Sequence, residues 1–410
     1  MHFDIVVVGA GPAGLSFARA LAGTDLSVAI VERQPEADLA EAAFDGREIA
    51  LTHASAQTLQ TLGIWERIPE AEISPLRDAR VLDGTSLEGM FLDHRESARD
   101  QLGYLVPNHL IRRAAYAAAK EVSQVTLMAG MHVAGIGTDA AGAWLRLANG
   151  DELRATLVVA ADSRFSETRR AMGIPAAMRD FGKTMMVCRM RHALPHHHVA
   201  WEWFDYGQTL ALLPLNGDCA SVVVTLPHRD IRQLMDMPAD VFGREVEQRF
   251  QRRLGTMDLI GTRHAYPLVA VYPERFIAER FAVIGDAAVG MHPVTAHGFN
   301  FGLLGQEILA GEIRTARAEG RHIADPELLA RYERAHRRAT RPLYLATNLV
   351  ATLYTNDSLP ARIARKAALG LGSRLAPFRK ALIASLTHDR DNPGLLARAG
   401  QFVAALRPGG

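Results

Sequence analysis

Cysteine is nearly absent: Cys188 and Cys219 are the two in a chain of 410 residues. Two thiols cannot staple a chain of this length, so a disulfide framework is excluded and a reducing compartment fits. Charge of one sign is lacking too. The 46 Lys and Arg stand against 45 Asp and Glu, a formal net charge of +1, which leaves no global electrostatic drive toward nucleic acid. No run of 18 uncharged apolar residues occurs, so a spanning helix is not expected. The start, MHFDIVVVGAG, has no cationic n-region and no long apolar h-region, and so does not read as a signal peptide. A cytoplasmic protein beginning at Met1 is expected. There are no internal repeats and no low-complexity tracts. No metal site is expected either: His196, His197 and His198 are consecutive and do not converge easily on one ion, so they read as a solvated turn after Pro195.

Hydrophobic residues make up 48% and charged residues 22%, an ordinary globular balance with enough length for two lobes. Phe3 to Val8 is an apolar, β-branched run that predicts a buried parallel strand. Gly9 to Gly14 is the turn, Pro12 to Leu21 a helix, and Ser27 to Val31 the second strand of a βαβ opening. The turn GAGPAG, with Ala13 inside it, fits GxGxxG. Gly9 permits the tight turn, Gly11 lets backbone approach a pyrophosphate, and Gly14 lets helix pack on strand. Glu32, followed by Arg33, closes the second strand where an acid can accept hydrogen bonds from a ribose. No second GxGxxG follows a strand, because Gly135, Gly137 and Gly142 lack the spacing. One dinucleotide site is therefore expected.

Further along, Leu110 to Val122 is a strong helix and Leu157 to Ala160 a buried strand. From Lys183 to Thr225 short strands at even spacing predict an antiparallel sheet, followed by an amphipathic helix at Ala239 to Leu254. The buried strand Phe281 to Ile284 returns the chain to the first lobe, and Phe299 to Glu312 is a helix. The expected fold class is α/β: a Rossmann-like lobe interleaved with an antiparallel sheet lobe, plus C-terminal helices. The first lobe takes residues 1–180 with 275–340, the sheet lobe 181–274 with part of 72–105, and the helical region 341–410.

Two later stretches point to a flavin. FAVIGDAA, Phe281 to Ala288, ends a strand in Gly-Asp, and Asp286 there can reach a ribityl chain. HPVTAHGFNFGLLG follows. Pro293 stiffens the loop, Gly298 permits close backbone approach, and Asn300 can cap the next helix, whose start can stabilise negative charge on a reduced flavin.

These segments, with DGREIAL at Asp45 to Leu51 and ADSRFSETR at Ala161 to Arg169, resemble the flavoprotein aromatic hydroxylases of the para-hydroxybenzoate hydroxylase fold. The closest likeness is to the ubiquinone-biosynthesis branch, the UbiH/UbiF/VisC-like hydroxylases. HPVTAHGFN resembles the UbiM-type subgroup. The resemblance implies an FAD-dependent monooxygenase: NADPH or NADH reduces FAD, O₂ forms a C4a-hydroperoxide, and oxygen passes to a prenylated phenol or quinol. It also implies residue roles: Glu32 at the ribose, Arg47 and Asn108 at the flavin and its diphosphate, Asp162 in a motif serving FAD and NAD(P)H, Asp286 at the ribityl chain, and Pro293, Gly298, Phe299 and Asn300 beside the ring. Two positions depart from the pattern. The usual Asp-Gly is Asp162-Ser163, and the usual Gly-Gln-Gly is Ala296-His297-Gly298.

The catalytic residues stay unassigned. His297 is a candidate acid or base, and a loop histidine bonded to backbone is the even alternative. Trp201 and Trp203 on one strand face, and Leu210 and Leu212 on another, can line a cleft for a prenylated ring; sheet core is the other reading. Cys188 reads as a buried thiol. Residues 341–410 hold ten Lys and Arg against three Asp and Glu. Arg365, Lys366, Arg379 and Lys380 among Ile363, Leu369, Leu371, Phe378, Leu382 and Ile383 can rest on the inner membrane face or a partner, or pack on the core. A reductase of the same fold without oxygen insertion, or a silent flavin-binding subunit, are the competing functions.

Overall fold

The structure is a computed structural model and describes residues 1–84, 89–205, 207–355 and 376–387. The chain builds β1 (His2–Val8), α1 (Pro12–Ala20), β2 (Val28–Glu32), α2 (Glu36–Ala40), β3 (Glu48–Leu51), α3 (His53–Thr61), β4 (Ser74–Leu76), β5 (Asp78–Asp83), β6 (Met90–Leu92), β7 (Gly103–Pro107), α4 (Asn108–Lys120), β8 (Val125–Ala129), β9 (Val133–Asp139), β10 (Gly142–Leu147), β11 (Glu152–Ala160) and α5 (Glu167–Ala171). It continues with β12 (Ala176–His192), β13 (Val199–Asp205), β14 (Gln208–Pro214), β15 (Cys219–Pro227), α6 (His228–Asp236), α7 (Ala239–Arg249), β16 (Met257–Pro273), β17 (Ile277–Ala278), β18 (Phe281–Val283), α8 (Gly298–Ala318), α9 (Pro326–Thr355) and α10 (Ala376–Leu386).

The described residues form three sheets. The first has the order β17-β18-β11-β1-β2-β8, with the β9–β10 hairpin joined through β10 to β11. Strands β18, β11, β1, β2 and β8 pair in parallel. Ile5 to Val7 and Leu157 to Ala160 are fully buried, as expected of central strands in a parallel sheet covered on both faces. The second sheet has seven strands in the order β16-β12-β15-β14-β13-β5-β6. Its pairs are antiparallel except β13 with β5. Strands β3, β7 and β4 make a small third sheet whose strands interleave in sequence with β5 and β6 of the second.

Several expected boundaries fall inside continuous elements. β12 starts at Ala176, and its first half pairs with Val269 to Pro273 of β16, so the sheet lobe reaches back across residue 180. β16 itself is a strand of 17 residues that no alternation in the sequence announces. Register shifts on β12 between Asp180 and Thr184 and between Val187 and Arg189 break the period of 2 along this pair. At the other border, α9 runs from Pro326 to Thr355, straight across residue 340. Tyr332, His336, Thr340, Tyr344, Thr347 and Ala351 are all buried, at helical spacing, so one inward stripe carries the helix past Pro342. A separate helical region beginning at residue 341 is thus not what the chain forms.

α10 packs on the core: Ile383 is buried among Leu92, Leu102 and Leu215, and Arg379 donates to Glu96 at 2.8 Å. Arg365, Lys366, Ile363, Leu369 and Leu371 lie outside the described residues. Among the described residues no helix is long and apolar enough to cross a membrane.

Candidate active site

The glycine turn leaves β1 at Gly9, whose φ of 107° a side chain rarely adopts, and whose Cβ would strike Ala161 O at 2.5 Å. A Cβ on Gly14 would strike Gly9 O at 2.1 Å, so helix and turn are in direct contact. Gly11, the N-cap of α1, is different: a Cβ there would meet nothing within 4 Å. α1 has no side-chain cap and no acid in its first turn. No side chain of its first turn caps the helix start, the arrangement that suits a pyrophosphate.

The other motifs gather at this end of the first sheet. A Cβ on Gly285 would meet Ala13 Cβ at 2.8 Å, and one on Gly302 would meet Gly285 Cα at 3.4 Å, so the Gly-Asp turn and α8 abut the glycine turn. Asp286 is exposed and paired with Arg164 of the ADSRF segment at 2.9 Å, while Arg164 also donates to Val269 O. Asp162 accepts from Ser166 Oγ and Thr168 Oγ1 with one carboxylate oxygen. Its other oxygen is buried with no partner among the described residues. Ser163 has no positive φ, so the turn closes without the usual glycine.

Glu32 accepts from Ala10 N at 2.7 Å and from Gln34 N at 2.9 Å, each with a different oxygen. It thus braces the glycine turn, and each oxygen keeps a lone pair for a hydroxyl. Arg33 beside it is exposed. On the far side of the cradle, Arg47 donates to Asp45 at 2.6 Å and Asn108 donates to the same oxygen at 2.7 Å. Burial works against the Asp45 charge, but Arg47 and Asn108 outweigh it and hold the carboxyl below the usual range. Asp45 is the piece that motif reading left unassigned, although it stands in DGREIAL. Tyr266 donates to Asp45 O at 2.7 Å, which ties this loop to β16.

The loop before α8 differs from expectation. Asn300 does not cap the helix. α8 starts at Gly298, and the Asn300 side chain instead donates to Ala50 O and Ala296 O, both at 2.9 Å, and accepts from Thr52 N at 3.1 Å. It is a cross-link between the α8 loop and β3. Like α1, α8 begins without a side-chain cap and without an acid in its first turn. Ala296 takes the left-handed conformation at φ 55°, which glycine would occupy freely. His297 is buried and its Nδ1 donates to Thr295 O. It also lines a small pocket with Ala50, Leu76, Leu102, Asn300 and Leu386. Pro293 is exposed, Phe299 half-buried. His292 accepts from Val294 N, and burial beside Lys183 pushes its imidazole down to about 4, so it stays neutral.

The antiparallel sheet corrects one expectation outright. Trp201, Trp203, Leu210 and Leu212 share a single face, because Trp201 pairs with Leu212 and Trp203 with Leu210. That face packs on α6 and α7, where Trp203, Leu210 and Leu212 are fully buried with Phe242 and Phe250. They are core and do not line the cradle, because the period of 2 sends their neighbours to the other side. The cradle side carries Val187, Arg189, Ser221, Val223, Ala211, Leu213 and Glu202. Arg189 donates to Glu48 Oε1 at 2.8 Å across the two lobes. Burial outweighs that partner and pushes the Glu48 carboxyl up to about 7.

His196 is also not a solvated turn residue. It is buried, bonded to Leu215 O and Cys219 O, and in edge-to-face contact with His192 and His198. The sequence offered no signal for that. Cys188 is fully buried, with its thiol pushed up to about 12 by burial, and is inert. Asp78, Asp93 and His94 come together on the outer strands, but Arg77 and Arg95 already pair with the two carboxylates.

The FAD binding domain family model matches residues 2–344. The ubiquinone hydroxylase UbiM of Neisseria meningitidis is 45% identical over 94% of this chain and 85% of its own length. The ubiquinone hydroxylase UbiL of Rhodospirillum rubrum is 34% identical over 92% of this chain and 87% of its own. The chain belongs to the FAD-dependent ubiquinone hydroxylase family. In fold it is similar to p-nitrophenol 4-monooxygenase PnpA from Pseudomonas putida, with a TM-score of 0.76 and 18% identity over 95% of this chain and 99% of that one. The family's cofactor is FAD, and the bare backbone at Gly11, the two uncapped helix starts and the unpartnered Asp162 oxygen fit such a group.

Proposed function

We propose that the protein is an aromatic-ring hydroxylase of ubiquinone biosynthesis, using NADPH or NADH and O₂ to oxygenate a prenylated phenol. The convergence of the glycine turn, the Gly-Asp turn and the Asn300 loop supports this reading. Gly9, Gly11, Ala13 and Gly14 would hold the pyrophosphate at the start of α1. Glu32, with Arg33 beside it, would hold the ribose. Arg47 and Asn108 would serve the diphosphate and ribityl region, Asp162 would close the cradle beneath it, and Asp286 would exchange Arg164 for ribityl hydroxyls. Pro293, Gly298, Phe299 and Asn300 would border the ring.

When bound, FAD supplies electron transfer from the nicotinamide and the activation of O₂. The chain supplies position and dryness. Asn300 fixes the α8 loop against β3, and the start of α8 favours negative charge in front of it. His297 holds its Nδ1 proton toward Thr295 O, which leaves it a positioning residue in this reading. For α10 the packing reading is favoured, since Ile383 is buried and Arg379 is paired. A peripheral contact of the remaining basic C-terminal residues with an anionic membrane stays a proposal. Co-sedimentation with anionic vesicles tests it: binding lost on deleting 362–410 supports the contact, and full retention returns the segment to packing.

The deciding experiment is extraction of quinone lipids from an aerated, hydroxylase-deficient bacterial strain expressing the protein. Restored ubiquinone and loss of an under-hydroxylated prenylphenol are expected. A yellow protein with no change in any quinone intermediate would remove the substrate assignment, and anaerobic reduction of the substrate would favour a reductase.

A further inference from the structure

On the antiparallel sheet, residues in register point the same way. One row crosses all seven strands: Met90, Val81, Glu202, Ala211, Val223, Val187 and His264. Its far end touches the cofactor motif, because a Cβ on Gly46 would come within 2.8 Å of Val187 Cγ2 and 2.9 Å of His264 Cδ2. Glu202 therefore stands on the same sheet face as the residues that touch Gly46, three strands from Val187, roughly 14 Å along the sheet.

The neighbours of Glu202 are apolar. Val81 and Ala211 flank it across the strands, and Ala200 and Phe204 are next on its own strand face. Among the described residues no hydrogen bond or ion pair reaches its carboxyl. The side chain keeps some accessible surface, yet the protein around it pushes the carboxyl up to about 8, with burial the sole cause. A core acid would carry a partner, and a surface acid would feel no such burial. A crowded, unpartnered and still reachable acid belongs to the wall of a cleft.

We propose that Glu202 is the substrate-orienting acid, which hydrogen-bonds the ring hydroxyl of the phenol and accepts its proton as oxygen enters the ring. The phenol O–H bond breaks and an O–H bond to Glu202 forms. The electron pair left on the ring oxygen makes the ring the stronger nucleophile. On the side of Met90 and Val81 the row is covered by the cluster around Ile383 of α10, so the side of Ala211 and Val223 receives the ring. This inference rests on the aromatic-hydroxylase reading. An acid near 8 is also closer to a phenol, at about 10, than an ordinary glutamate is, which suits transfer between them. On β5 and β14, which flank β13, the one other ionisable side chain on this face among the described residues is Asp83, and α10, packed over Val81 and Met90, brings Arg379, paired with Glu96, and the exposed Lys380. Arg189, with Glu48 and Glu72, lies three strands away.

The test compares FAD-loaded wild type, Glu202→Gln and Glu202→Asp with a short-chain 2-prenylphenol as probe. Binding is read from flavin absorbance and turnover from hydroxylated product, from about pH 6.5 to 9.5. In wild type, kcat/KM is expected to rise about tenfold per pH unit below about 8 and then level off. Glu202→Gln, a near-isostere of the neutral acid, is expected to keep its FAD, bind the phenol about tenfold more weakly, lose about 100-fold in kcat/KM and lose the rise with pH. Glu202→Asp should keep the rise at a lower rate. Wild-type kcat/KM and pH profile in Glu202→Gln would overturn the role while leaving the hydroxylase reading intact, and loss of FAD in that variant would make the acid structural. A wild type that binds and hydroxylates no phenol removes both.

Discussion

The two faces of the antiparallel sheet are made by the same strands from alternate residues, yet they do opposite things. Toward α6 and α7 stand Met186, Cys188, Met190, Trp203, Leu210, Leu212, Val222 and Val224, all fully buried. Toward the cradle stand Arg189, Glu202 and Ser221 among small apolar residues. The first face is a sealed core whose contribution is stability. The second keeps charged groups in poorly solvated surroundings, an arrangement that costs stability and that a binding site requires. Large aromatic residues thus mark the core face of this sheet, not the face turned toward the cradle.

The comparison is broken hardest by Trp203→Ala. Trp203 is fully buried, donates to Gly84 O at 2.8 Å and lies under the Arg253 guanidinium. A loss of about 3–5 kcal/mol in urea unfolding is expected, with FAD stoichiometry unchanged in the fraction that stays folded. A mild loss of stability together with a failure to bind FAD would place Trp203 in the site after all.

The cradle-side face predicts a dependence on pH. Folding lifts the Glu48 carboxyl to about 7, against about 4.3 in an unfolded chain. The folded state holds this proton longer, so its contribution is full below the unfolded value and is lost as pH rises through 7. Between about pH 4.3 and 7 the decline is on the order of 2–3 kcal/mol. Glu48→Gln should flatten that part of the profile of urea midpoints against pH. An identical slope in the variant would mean that Arg189 neutralises the pair fully.

A smaller effect is expected at Asp286. Replacing it with Ala removes a proposed ribityl partner and frees Arg164, and FAD affinity should fall about tenfold, or about 1.4 kcal/mol, by flavin titration of the apoprotein. Unchanged affinity would leave Asp286 as a surface ion pair only. The smallest change is Ala296→Gly, which relieves the left-handed backbone and should raise stability by less than about 1 kcal/mol. Thermal unfolding decides it, and a lower midpoint would show that the alanine methyl makes a packing contact worth more than the strain.

Much of the first lobe was legible because its determinants are local. An apolar β-branched run, three glycines at fixed offsets and an acid at the end of the next strand each act through neighbours in sequence: Gly9 and Gly14 stand where a Cβ would clash, and Glu32 stands at the end of β2 and braces the turn through Ala10 N. The second lobe was legible in kind and not in detail. Alternation announced the sheet, but β16 and the first half of β12 carry interruptions at their register shifts, and the sequence does not show which face of the alternation meets which lobe.

The sequence by itself determined the dinucleotide turn, the Gly-Asp turn, the loop at Asn300 and the presence of an antiparallel sheet, since glycine conformations and hydrophobic period are properties of short segments. Only the tertiary structure decided that Trp203 and Leu210 face helices, that Asn300 bonds to Ala50 and Thr52, that Arg189 reaches Glu48, and that α9 crosses from one expected region into the next. The contacts of Trp203, Asn300 and Arg189 join residues far apart in the chain, and burial, the quantity that sets their charge and role and the inward stripe of α9, exists only once the lobes have closed on one another.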